Sequence, residues 1–166
     1  STQPARLVIV GDGKPEARAE LMRLAAELGC ATDVSLPGFT YNPFCYMAHA
    51  AVFVLSSLHE GLPGVMIQAL ACGAPVVSTD CPSGPREILE GGRHGRLVDL
   101  GDDRAMAEGI SAALHEPGDR SARMARGLQF SVDRAVDRYL GLLRTAGLGL
   151  ALTHNQPDAA PAPAPP

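Results

Sequence analysis

The chain has 166 residues and 46% hydrophobic content, which suits one soluble globular core rather than several domains. Fourteen Lys and Arg against eighteen Asp and Glu leave a net charge of −4, so a basic nucleic-acid-binding face is excluded. No apolar run is long enough to span a bilayer, and the N-terminus does not have the pattern of a signal peptide.

The elements alternate along the chain. Arg6-Leu7-Val8-Ile9-Val10 reads as a strand that ends at Gly11-Asp12-Gly13. A helix is predicted from about Pro15 to Leu28, with Leu21, Leu24, Ala25 and Leu28 on one face and Gly29 as its stop. Val34-Ser35-Leu36 is a second short strand that ends at Pro37-Gly38-Phe39, and a short helix near 43–49 follows. Val52-Phe53-Val54-Leu55 has the continuous apolar pattern of a strand buried on both faces. Gly61, Pro63 and Gly64 then break regular structure, and a helix runs from about Pro63 to Cys72, stopped by Gly73. Pro63 suits a first helical position, where its missing N–H costs nothing.

Pro75-Val76-Val77-Ser78 is a fourth strand, and Pro82-Ser83-Gly84-Pro85 opens a helix to Glu90. Arg96-Leu97-Val98 is the last strand. Asp102 is placed to cap a helix to about His115, and helical segments cover roughly 119–127 and 132–146. Such alternation predicts an α/β fold, a Rossmann-like parallel sheet with helices on both faces. From about Leu148 the chain turns Pro/Ala-rich without periodicity, which predicts a disordered tail over 148–166.

Residues 56–90 carry most of the functional information. They place a carboxylate, a glycine-rich turn and a helix N-terminus together at the end of a strand. Free N–H groups and about half a positive charge at a helix N-terminus bind phosphate without a metal. Gly61 and Gly64 allow a ligand to approach the backbone. The helix is apolar nearly all round, which predicts burial. Its one strongly polar side chain, Gln68, lies one turn after Gly64 and is expected to point at the loop that carries Glu60. Local physics leaves a second reading open, in which Glu60 caps the helix and Gln68 is a satisfied core amide. Ligands on parallel sheets bind beyond the strands' carboxyl ends, so loops 11–13, 37–39 and 61–64 are candidates for one shared crevice.

Other patterns do not carry a site. Gly11-Asp12-Gly13-Lys14 lacks the spacing and the following Ser/Thr of a P-loop and reads as a tight strand-to-helix turn. His59-Glu60 begins like H-E-x-x-H, but Pro63 stands where the second His belongs. No Asp-x-Asp is present, and the four cysteines Cys30, Cys45, Cys72 and Cys81 lack zinc-type spacing, so no metal site is expected. The cysteines read as reduced, structural thiols of a cytoplasmic protein. His49, His94, His115 and His154 read as surface or helix-end residues, and Arg86 as a salt-bridge partner more than a ligand contact.

Residues 6–146 resemble the C-terminal, donor-binding domain of a GT-B, family 4 retaining glycosyltransferase. The resemblance is carried by VIVGDG at 8–13, LPGF at 36–39, FVLSSLHEGLPGVMIQALACGAPVVSTDCPSGPREIL at 53–89 and GRLVDLGD at 95–102. It implies binding of a nucleotide diphosphate sugar by a domain over 1–147, without a metal or other cofactor. Hexosyl transfer to a polysaccharide, lipopolysaccharide or lipid-linked acceptor is implied with it, in bacterial glycan synthesis. The acceptor site and the donor domain's first segment, with its diphosphate-clamping Arg and Lys, are expected before Ser1, so this stretch alone is expected to be inactive. Any membrane contact is expected to be peripheral, at the inner face. The family pattern of Glu, seven residues, Glu falls on Glu60 and Gln68. Glu60 is implied to act near the donor sugar, and Gln68 replaces the carboxylate that binds ribose hydroxyls. An amide accepts such a bond without charge assistance. Ser56, Gly61, Leu62, Pro63 and Gly64 match the diphosphate and sugar turn, and Gly38 and Phe39 match the loop near the base. Ala51 stands where the family commonly has Asp. A non-catalytic nucleotide-sugar-binding module and a UDP-sugar epimerase of the same fold remain as alternatives, the epimerase without the EGLPGVMIQALACGAPVV wording.

Overall fold

A computed structural model describes residues 5–147. The chain divides into two units, one ending at Leu128 and one beginning at Gln129. In the first, strands β1 (Leu7–Val10), β2 (Val34–Gly38), β3 (Phe53–Leu55), β4 (Val76–Thr79) and β5 (Arg96–Val98) alternate with helices. The helices are α1 (Pro15–Glu27), α2 (Pro43–His49), α3 (Gly64–Ala71), α4 (Pro85–Ile88), α5 (Asp103–His115) and α6 (Arg120–Leu128). Every strand pair is parallel, β1 with β2 and β3-β4-β5 in that order, so the described strands form two hydrogen-bonded sheets. The α/β alternation expected from the sequence is therefore present, with helices flanking parallel strands.

Element ends follow local chemistry. β4 starts one residue after the expected Pro75, which has no N–H for the ladder, although its carbonyl accepts from Phe53 N at 2.8 Å. β2 extends to Gly38, whose carbonyl accepts from Gly11 N at 2.9 Å. The Asp102 carboxylate caps α5 by accepting from Ala105 N at 2.8 Å. Asp119 does the same at the start of α6, accepting from Ser121 N and Ala122 N. The helix expected over 85–90 is cut to a single turn. Glu90 and Gly91 adopt φ of 50° and 65°, outside the right-handed helix, so a 3-10 turn over Glu90–Gly92 replaces the last residues.

Burial also differs from the expectation in one respect. The strand buried on both faces is β4, whose four residues are all buried, not β3. β4 is the middle strand of its sheet and is covered by α3 and α5, whereas β3 is an edge strand. On the α5 side, Val77, Val98 and Ala113 form a buried cluster with Met106 and Ile110 against it. Met66, Leu70, Ile88, Leu89 and Val76 fill the rest of the core. β1 is the opposite case: Leu7, Val8 and Ile9 are all exposed.

In the second unit, α7 (Val132–Thr145) starts at Ser131, whose hydroxyl accepts from Arg134 N. Val132, Val136, Tyr139 and Leu142 are exposed on it. The tail expected over 148–166 lies outside the described residues.

The buried and exposed leucines give a direct check on this core. Leu70→Ala is expected to cost about 2–5 kcal/mol in chemical denaturation, and Leu142→Ala within about 0.5 kcal/mol.

Candidate functional site

β3 and β4 run side by side in one direction, so the loops that follow them leave from the same edge. Three hydroxyls tie these loops together. Thr79 Oγ1, at the end of β4, donates to Ser57 O at 2.5 Å. Ser57 Oγ donates to Glu60 Oε1 at 2.7 Å. Ser83 Oγ, in the loop before α4, donates to the Glu60 carbonyl at 3.0 Å. Ser83 itself sits at φ 57°, a left-handed conformation that a non-glycine residue rarely adopts and that concentrates at functional sites. The half-buried Glu60 carboxylate is thus oriented by a hydroxyl and its backbone is clamped from the neighbouring loop.

The contact between the two loops is close. Gly84, at φ 84°, begins α4, and a Cβ there would stand 2.6 Å from both the Gly61 carbonyl and Pro63 Cδ. Only glycine meets both the conformation and the space. Gly61 and Gly64 face open space instead, with nothing within 4 Å of a Cβ at either. The backbone at these two positions is therefore accessible to a ligand.

α3 begins at Gly64, with Pro63 as its N-cap rather than its first helical residue, and no side chain caps it. The capping role left open for Glu60 is therefore not the one observed. Met66 N and Ile67 N bond to the Pro63 carbonyl, while the N–H groups of Gly64 and Val65 make no hydrogen bond among the described residues. They keep the free donors and partial positive charge of a helix N-terminus.

The structure corrects the reading of α3 as buried all round. Met66, Ala69 and Leu70 are buried, but Val65 is 46% exposed and Gln68 is exposed too. Neighbours α2 and α6 cover other sides of this helix and leave the face of Gly64, Val65 and Gln68 open. Gln68 makes no hydrogen bond to the Glu60 loop; its amide is free on the same open face as Gly64, one turn on. Leu62 and Ser56 are exposed, and Pro63 is buried.

The other two glycine loops meet each other. Asp12 Oδ1 accepts from Phe39 N at 3.0 Å, and Phe39 packs edge-on against Tyr41 with centroids 5.1 Å apart. Gly38, at φ 83°, lies against the Asp12 carboxylate, and Phe39 is exposed. The segment 11–14 is thus a turn braced by Asp12, with Lys14 preceding α1 without a side-chain cap. No hydrogen bond joins this pair of loops to 61–64 among the described residues, so the three loops form two clusters.

Arg86 forks onto Asp80 with both Nε and Nη2 and is a salt-bridge residue. Asp80 raises the Arg86 pKa from its ordinary value. His49 and His115 bond to carbonyls one turn back, and His94 pairs with Glu90 at 3.2 Å. His154 lies outside the described residues. All four cysteines are free thiols. Among the described residues no group of three His, Cys, Asp or Glu is placed to hold a metal. No described helix is long and apolar enough to cross a membrane.

Sequence reasoning missed Ser57, Thr79 and Ser83, because their partners lie in other segments. It also missed Arg123 and Arg126, which are buried on α6 and bond to carbonyls around α3 and α4. The only signal for them was the three-residue spacing of Arg120, Arg123 and Arg126, which puts all three on one helix face.

The profile of the family described as glycosyl transferases group 1 matches residues 1–116. The chain belongs to this family. It is 36% identical over 142 residues to the Rhizobium meliloti lipopolysaccharide core biosynthesis glycosyltransferase LpsE, covering 82% of this chain and 41% of that protein. It is 38% identical over 117 residues to a Campylobacter jejuni N-acetylgalactosaminyltransferase named for a diphospho-undecaprenol acceptor, covering 70% and 32%. Among solved structures, Anabaena HepE in complex with UDP aligns with a TM-score of 0.71 at 23% identity, over 86% of this chain and 41% of that one. The lipopolysaccharide outer core galactosyltransferase WaaB aligns at 0.73 and 21%, over 85% and 41%. These likenesses establish a GT-B fold, and the chain spans about two fifths or less of the relatives it matches.

The loop contact predicts a contrast between two glycines. Gly84→Ala forces a left-handed alanine against Gly61 and is expected to cost about 1–3 kcal/mol in thermal unfolding. Gly61→Ala meets open space and is expected to stay within about 0.5 kcal/mol of the parent.

Proposed function

We propose that this chain is the donor-binding domain, over 1–147, of a retaining glycosyltransferase that uses a nucleotide diphosphate sugar. The observation that carries the reading is the clamped loop at the ends of β3 and β4. Supporting it, Glu60, with its carboxylate bonded by Ser57 and its carbonyl by Ser83, lies in the same loop as the exposed Gly61 and Gly64 and shortly before the free N–H groups that start α3. The diphosphate is held at Gly64 and Val65, where free N–H groups and the helix dipole offset its charge. This supplies electrostatic stabilisation to the leaving diphosphate without a metal or other cofactor. Glu60 faces the sugar and the carbon linked to phosphate, where positive charge develops as that bond breaks. Gln68 accepts from ribose hydroxyls on the open face of α3. Ser56, Leu62 and Pro63 shape the turn, and Gly38 with Phe39 lines the base side.

The relatives support this reading in kind. HepE was solved with UDP, with UDP-glucose and with UDP plus glucose. We extend it to hexosyl transfer onto a polysaccharide, lipopolysaccharide or lipid-linked acceptor held by a different part of the full protein. Action in the cytoplasm or peripherally at the inner membrane face belongs to the same proposal. One observation favours a second reading, a binding module without transfer: Gln68 offers no charge where the family pattern has a carboxylate.

The test is calorimetric titration of the full protein with UDP, GDP and ADP, without added metal. One nucleotide is expected to bind. Gln68→Ala is expected to weaken it by about 0.5–1.5 kcal/mol, and Gln68→Glu to tighten it. Glu60→Gln is expected to lower transfer by about 10²-fold or more while nucleotide still binds. Absence of binding by all three nucleotides defeats the proposal. Binding with neither sugar transfer nor donor hydrolysis selects the binding module.

A further inference from the structure

The two helices that start at the candidate site are held at their far ends by one other helix. The last carbonyls of a helix have no partner within it and must find donors elsewhere. Around the end of α3, Arg120 Nη2 donates to Cys72 O at 3.0 Å. Arg123 donates to Gly73 O through both Nε and Nη2, at 3.1 and 3.0 Å, and through Nη1 to Pro117 O. At the end of α4, Arg126 donates through Nε to Ile88 O at 2.8 Å and through Nη2 to Glu87 O at 2.7 Å. Its Nη1 pairs with Glu90 Oε1 at 3.0 Å. Arg123 and Arg126 are 6% and 9% exposed, and their bonds to Gly73 O and Ile88 O are buried. Three positive charges at helix C-termini also complement the helix dipoles.

α6 is placed for this by a close backbone approach. A Cβ at Gly127 would stand 2.7 Å from Ala71 Cα, so the two helices touch with no side chain between them. The near ends of α3 and α4 are locked separately, by Ser83 on the Glu60 carbonyl and by Gly84 against Gly61. The two helices are therefore fixed relative to each other at both ends. Movement at the α6 end would be carried through a helix of eight residues in one case and a single turn in the other.

We propose that Arg123 and Arg126 are positioning residues of the donor site: by gripping the carbonyls at the ends of α3 and α4, they set where Gly61–Gly64 and Ser83–Pro85 present their backbone to the diphosphate. This rests on the donor-site reading above. It differs from a merely structural role because it couples α6 to ligand affinity and not only to folding.

Lysine keeps the charge but lacks the fork, so Arg123→Lys and Arg126→Lys remove the two-pronged grip. Arg104→Lys, in an exposed pair with Glu108, is the control. Each full-length variant is titrated with UDP, GDP and ADP at a temperature where its circular dichroism is native, and its Tm is measured alongside. The expected result is a Kd raised about fivefold or more in both clamp variants and unchanged in the control. A lowered Tm with Kd within about twofold of the parent overturns the proposal, since the arginines then serve folding alone. If a lysine variant does not fold, the exposed Arg120→Ala on Cys72 O carries the same comparison, with the same expected and overturning results. A parent protein that binds none of the three nucleotides overturns this inference together with the donor-site reading. A parent that binds while the variants match it overturns this inference only.

Discussion

The parallel pairing of β3 with β4 is the constraint from which the candidate site follows. Phe53 faces Val76 and Leu55 faces Ser78, so both strands end at the same edge of the sheet. Two chain segments separated by about twenty residues are thereby delivered side by side, and Thr79 fastens them before either helix begins. The β4 strand can serve as the fixed reference because it is buried along its whole length. Glu60 inherits that fixity through Ser57, and the start of α3 inherits it through Gly84. An antiparallel pair would have sent the two loops to opposite edges.

Much of this was legible in the sequence wherever the signal is local. Apolar runs bounded by Gly and Pro located all five strands to within two residues, because burial and chain reversal are both written in short windows. Glu60 with Gly61–Gly64 was legible for the same reason, since the carboxylate, the turn and the helix start are contiguous. What local windows did not show is which face each element turns to a neighbour. The apolar composition of α3 suggested burial all round, yet Val65 and Gln68 lie on its open side. Leu7, Val8 and Ile9 form an apolar strand as expected, yet all three are exposed. Ser57, Thr79 and Ser83 have partners in other segments, and no periodicity marks such bonds in advance.

The arginines of α6 show the same limit from the polar side. A run with Arg120, Arg123 and Arg126 reads as a solvated helix face, because buried arginine is uncommon without a carboxylate. Here the burial of Arg123 is permitted by backbone carbonyls, and that of Arg126 by carbonyls together with Glu90; a carbonyl is a partner that every sequence contains and none advertises. Desolvation lowers the Arg123 pKa from its ordinary value, the expected direction for a cation so placed. Gly127 is the clearer mark in retrospect. A glycine inside a helix is unfavourable by roughly 1 kcal/mol, and here it allows the close approach to Ala71.

The choice of carbonyls as partners has a consequence for behaviour in acid. A peptide oxygen carries no proton to gain or lose over the range in which carboxylates and imidazoles change charge, and a guanidinium keeps its proton throughout that range. The grip of Arg123 on Gly73 and of Arg126 on Glu87 and Ile88 therefore uses no carboxylate and no imidazole. Arg126 adds a side contact with the Glu90 carboxylate. The frame behind the candidate site is thus tied chiefly to backbone oxygens, which no change of proton concentration in this range alters.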